Sequence, residues 1–222
     1  MTTARRRRLS ASRQAVVRYS SLLYQMSRPL DQGPDTERMR REQSWYVSAL
    51  ASGNTTPFGS LAVHRVPLNN GEDVVLLTDS GDDVPGDAVG AVVDWDTPTR
   101  AVRTRLPEWV NPDDPAANFL VVEPVELEPE WRGLGVGELL LATVLTDLQG
   151  PDDIMAVAAP VKWHLKGRAR NEAGLVQRPI VEHLGFQPIR ASKYLLTDWA
   201  KLTEALYRYQ AKFGLEVGSA TN

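Results

Sequence analysis

The chain has 222 residues, 42% of them hydrophobic and 24% charged, the balance of one globular domain or of a domain with an extension. A formal net charge of -3 gives no general reason to expect nucleic acid, and no apolar run reaches bilayer length or follows the N-terminal arginines as a signal peptide would. The expectation is a cytoplasmic protein without a membrane partner. There is no cysteine, and His64, His164 and His183 match no metal-ligand spacing, so disulfides, thiolate zinc, a cysteine acyl-enzyme and metal catalysis are not expected.

In chain order, residues 1-10 are basic and read as a solvated end, with Arg5-Arg8 as a candidate contact for nucleic acid or an acidic partner. Segment 11-27 spaces Val16, Val17, Leu22, Leu23 and Met26 to predict a helix, and 36-51 predicts a second. Together 1-52 read as a basic tail with a helical extension, and 53-222 as the main domain ending in a C-terminal helix. The period then changes. Segments 59-68, 72-79 and 88-96 predict strands between Gly- and Asn-rich breaks, 98-109 holds a helical turn, and 111-116 is a loop. The strongest strand candidate is 118-127. Helix 138-149, a buried strand at 153-160, a strand at 188-198 and an amphipathic helix at 199-213 stopped by Gly214 complete the pattern. The fold class is α/β, with flanking helices on a central sheet and extra helices at the N-terminus.

Gly133, Gly135 and Gly137 stand where the 138-149 helix is about to begin. Each glycine costs a helix about 1 kcal/mol against alanine. A strand, a glycine-rich turn and a helix start form a site for anionic phosphate, because the first N–H groups lack internal partners and the dipole is positive there. The dinucleotide fingerprint fails at Glu138 and Leu140, and no glycine begins a Walker sequence. What remains is Arg-x-x-Gly-x-Gly: Arg132, Gly135 and Gly137.

With 127-LEPEWRGLGVG-137 before a helix, a buried strand after it and 184-LGF-186 later, the chain resembles the GNAT family of N-acetyltransferases over roughly residues 118-198. The resemblance implies an acyl-CoA N-acyltransferase-like fold with a mixed, mostly antiparallel sheet. It also implies direct transfer of acetyl from acetyl-CoA to a primary amine of a small molecule or protein. The pyrophosphate would sit on Arg132, Gly133, Leu134, Gly135, Val136 and Gly137, and the pantetheine arm would bond along Val125 and Leu127, where Pro124 fits a strand that bulges or leaves its neighbour and equally an edge strand. Arg132 would either pair with a phosphate or tie the loop. Glu126 is the first candidate base and Glu123 the second; since Val181 stands where many members have a tyrosine, His183, Tyr194 or water would donate the proton, or the thiolate would leave unprotonated. That departure keeps a second function open, a non-catalytic acyl-CoA-binding regulatory module. Trp109, Asp113 and Asp114 would suit a cationic acceptor, and the apolar stripe Trp199, Leu202, Leu206 and Tyr209 would pack within the chain or form a homodimer contact.

Overall fold

The structure is a computed structural model that describes residues 10-18, 20-27, 43-67, 118-150, 153-158, 177-190, 193-196 and 198-215. The expected strands at 72-79 and 88-96, the turn at 98-109, the loop at 111-116 and the Arg5-Arg8 run lie outside these residues.

The elements are α1 (Ala11–Arg18), β1 (Ser21–Ser27), β2 (Gln43–Leu50), β3 (Pro57–Pro67), β4 (Asn118–Val122), β5 (Glu126–Leu127), a 3-10 turn (Pro129–Trp131) and α2 (Val136–Leu148). They continue with β6 (Asp153–Ala158), a helix α3 over 177-183, β7 (Gln187–Arg190), β8 (Lys193–Leu196) and α4 (Trp199–Phe213). One sheet runs β1-β2-β3-β4-β6-β8-β7, with β5 also paired to β3. Among the described strands only β4 and β6 pair in parallel, and the other pairs are antiparallel. The class is therefore α/β with a mixed, mostly antiparallel open sheet.

Two predicted helices are corrected. The 11-27 segment is helical only to Arg18, where the Ser20 hydroxyl donates to Val16 O at 2.6 Å, and β1 follows. In the 36-51 segment, residues 43-50 form β2, with Trp45, Val47 and Ala49 buried on one side and Ser44, Tyr46 and Ser48 on the other. That alternation is the two-residue period of a strand, and Trp, Tyr and Val favour it. The part of 1-52 read as a helical extension thus supplies two strands that pair into the sheet. The single strand expected at 188-198 is a pair of antiparallel strands, β7 and β8.

On one face of the sheet, face I, Trp45, Val47, Leu61, Val63, Leu120, Val122, Ala156 and Leu196 meet the helices. From α2, Leu139, Leu140, Leu141, Ala142, Val144 and Leu145 are buried there. Leu202, Leu206, Tyr209 and Phe213 of α4 join the same core, with Trp199 packed against it, so the terminal apolar stripe is used within the chain. Gly214 ends α4 at φ 66, as its position predicts.

Face I also holds a closed ionic clamp. Arg65 of β3 donates through Nη2 to Asp153 at 2.8 Å and to Leu148 O at 2.6 Å, and through Nη1 to Gln43 at 2.8 Å. Its guanidinium lies 5.0 Å from the Trp45 ring centroid. Asp153 also accepts from Gly150 N at 2.7 Å. One arginine thus ties β2 and β3 to the end of α2 and the start of β6.

Candidate functional site

The Glu123-Pro124-Val125 break interrupts the long strand. Val63 pairs with Val122, but Ser60 pairs with Glu126, so four steps on one strand match three on β3. One extra residue is a β-bulge, and each such residue reverses the alternation beyond it. Pro124, which has no N–H to give, sits inside it. As a result Glu126 faces the same side as Ser60, and Glu123 the same side as Val121 and His64. Both carboxylates therefore lie on the second face, face II. In a regular strand, residues three apart such as these lie on opposite faces.

Past the bulge, β5 pairs with β3 and with no other described strand, whereas β4 pairs with β6 up to Val122 and Ala158. Glu128 N donates to Phe58 O at 3.0 Å, which sets the register in which Glu126 and Glu128 bond toward β3. The backbone groups of Val125 and Leu127 then point away from β3. Their carbonyls meet side chains. Gln177 Nε2 donates to Val125 O at 2.6 Å and Arg132 Nε to Leu127 O at 2.8 Å. Val125 is buried and Leu127 packs against the core, while Glu126 is exposed. Arg132 thus ties the turn to β5, and its head is otherwise at the surface.

The glycine turn follows at once. Gly135 caps α2 with φ 90 and no side-chain cap bond, so the first helical N–H groups receive no side chain at the cap. Two of the three glycines have a steric role. A Cβ on Gly135 would come within 2.5 Å of Lys212 Nζ and 3.1 Å of Tyr209, and one on Gly137 within 2.9 Å of Ile180. Gly133 differs, with φ 71, exposure to solvent and no atom within 4 Å of where a Cβ would stand. The open side of the turn is therefore at Gly133. Leu134 and Val136 point inward and are buried. A cation stands beside the turn, since Lys212 Nζ donates to Leu134 O at 2.6 Å. Gln177 and Lys212 left no trace in the sequence, because each reaches its partner from a distant helix.

His183 does not join the two glutamates. Its Nδ1 lies 3.2 Å from Glu138 Oε1, which also accepts from the Tyr209 hydroxyl at 3.3 Å. The helix α3 that carries it packs Ile180 and Val181 into the face I core, where Val181 is 4% exposed. Glu123 has a partner that its sequence did not announce. Its Oε1 is 3.2 Å from His64 Nε2, and His64 Nδ1 is 2.8 Å from Ser44 Oγ. Ser44 and His64 are 20 positions apart and meet only through the register of β2 on β3.

Among the described residues there is no group of three His, Asp or Glu side chains placed to hold a metal ion, and no helix long and apolar enough to cross a membrane. Comparison with protein-family models, with curated proteins and with solved structures found no match.

Proposed function

We infer that the protein binds an acyl-CoA such as acetyl-CoA and transfers its acyl group directly to a primary amine, in an acyl-CoA N-acyltransferase-like fold. The observation that carries this reading is the β5 edge. A strand paired with β6 as far as Val122 bulges, turns the Val125 and Leu127 backbone away from β3, and runs into a helix capped by glycine. An extended amide-bearing chain such as pantetheine can complete that edge through the Val125 and Leu127 N–H groups. Its pyrophosphate would then meet the start of α2 at the open Gly133, with Lys212 and Arg132 supplying positive charge. Glu126 and Glu123, one residue beyond and two before the outward Val125, are within the same bulged segment to take the amine proton. A lysine-type amine is only about 1 part in 2,500 neutral at pH 7, so a base raises the reactive fraction.

A second reading keeps the acyl-CoA site without the chemistry. The buried Val181 favours it, because the position that often supplies a proton donor in the family here belongs to the core.

Thermal unfolding with and without acetyl-CoA tests the site. At 100 times its dissociation constant the ligand adds about 2.7 kcal/mol, a rise of roughly 5-10 °C for a chain of this length. Gly133→Asn keeps the left-handed conformation available and retains the rise; Gly133→Asp adds a negative charge at the same place and loses it. No rise in the wild type would sink the reading. Binding without amine-dependent thiol release would leave the non-catalytic module.

A further inference from the structure

Three strands contribute to one hydrogen-bonded line on face II, Ser44 from β2, His64 from β3 and Glu123 at the end of β4. The roles of the atoms follow from chemistry. An ionised carboxylate only accepts, so His64 Nε2 carries the hydrogen toward Glu123, and Nδ1 accepts from the Ser44 hydroxyl. A neutral imidazole is then satisfied at both nitrogens. Such a line is a costly way to fill a sheet, because burying polar groups costs more than burying Val63 and Trp45, which pair on the other face. His64 has a side-chain exposure of 10% and Glu123 of 25%, and Ser44 is half-buried as Glu123 is, so the carboxylate lies nearer the surface than the histidine that holds it. Only its Oε1 is bonded among the described residues. Glu123 is also the residue at which the bulge begins, immediately before the outward-facing β5 edge.

Resting on the acyltransferase reading above, we propose that Ser44 and His64 are positioning residues for Glu123, which accepts the amine proton. In that step the amine nitrogen attacks the thioester carbonyl carbon and a C–N bond forms. The C–S bond breaks with its electron pair leaving on sulfur. The N–H proton passes to Glu123 Oε2 and from there to water. His64 holds Oε1 through Nε2–H, so Oε2 is the oxygen presented to the acceptor, and Ser44 keeps His64 in the required tautomer. The neighbouring strands β2, β4 and β5 bring Tyr46, Glu123 and Glu126 to this face as the titratable groups around His64, while Arg65 is committed to Asp153 on the other face.

The test is thiol release from acetyl-CoA with 2-phenylethylamine and with a lysine-containing peptide as acceptor probes, followed across pH. His64→Asn is expected to lower kcat roughly 10- to 100-fold, the range seen when an orienting partner is lost. It should also shift the acid limb of the kcat profile and leave the KM for acetyl-CoA unchanged. Ser44→Ala, a milder change, moves kcat in the same direction by less. Combining His64→Asn with Glu123→Gln adds little to Glu123→Gln alone, because residues acting as a unit are not additive. An active wild type whose profile His64→Asn leaves intact, or in which Glu126→Gln and not Glu123→Gln abolishes turnover, overturns the assignment alone. A protein that binds acetyl-CoA but releases no thiol with either probe removes the enzyme reading and the assignment with it. Ring-nitrogen NMR on the free protein reads the tautomer without any ligand, where Nε2–H supports the arrangement and Nδ1–H overturns it.

Discussion

His64 and Arg65 are adjacent in β3, yet their side chains enter opposite faces of the sheet and meet different chemistry. On face I, Arg65 is held by Asp153, Gln43 and the Leu148 carbonyl, and the Asp153 side chain is 1% exposed. The Arg65 Nε, Nη1 and Nη2 all donate to groups that hold elements together. On face II, His64 is committed equally well, but to a carboxylate bonded through Oε1 alone among the described residues and with a quarter of its side chain at the surface. A closed network fixes a fold; one that ends in a part-exposed group can also act on something else. The glycines of the turn repeat the contrast, with Gly135 and Gly137 pressed against side chains and Gly133 open.

The largest effect should come from breaking the closed side. Asp153→Ala leaves the Arg65 guanidinium without its carboxylate and is expected to cost about 3-5 kcal/mol in urea unfolding, because an uncompensated charge remains partly buried. A loss under about 1 kcal/mol would erase the distinction between the faces. Next comes His64→Asn, which should cost about 1-3 kcal/mol of stability, because His64 is buried and its loss leaves Ser44 and Glu123 without their partner. A loss as large as that of Asp153→Ala would make the face II line structural.

Gly133→Ala follows, since it must hold an alanine in the left-handed region at φ 71 and costs about 1 kcal/mol. Gly137→Ala costs less, because the new methyl meets only the movable Cδ1 end of Ile180 and a helical alanine gains about 1 kcal/mol over glycine. The order of these two in thermal unfolding is the check. The smallest effect belongs to Tyr24, whose hydroxyl lies 2.5 Å from Asp147 Oδ2 and joins β1 to α2. Burial first, then the hydrogen bond and charge of Asp147, raise its pKa well above the ordinary value. A raised pKa means the folded state holds the proton longer than the unfolded chain. The contribution is therefore full below about pH 10, where an unfolded tyrosine ionises, and is lost as the pH rises further. Tyr24→Phe should flatten that alkaline decline, as read by urea unfolding across the alkaline range.

Much of the fold was legible where the apolar pattern was long and bounded. The α2 helix, the β3, β4 and β6 strands and the Gly214 stop of α4 stand close to where periodicity puts them. The N-terminal strands read as helices because β1 and β2 are short, with residues such as Leu22 and Leu23 adjacent, and helical and strand periods overlap in short apolar runs. The site was legible in part. Pro124 marked an interruption of the strand, as a bulge or an edge, and the glycines marked the turn. The face on which Glu123 lies relative to Glu126, the Gln177 and Lys212 caps, and the link from Ser44 through His64 were not.

Features that act over a few neighbouring residues can be read from the chain alone: helix ends, the glycine turn, the strand interruption at Pro124 and an α/β class without cysteine chemistry. Which side chains meet is settled by tertiary packing. His64 finds Ser44 and Glu123, and Arg65 finds Asp153, across separations of 20 to 88 residues. Strand register sets such meetings, and one extra residue in one strand is enough to move a carboxylate to the other face of the sheet.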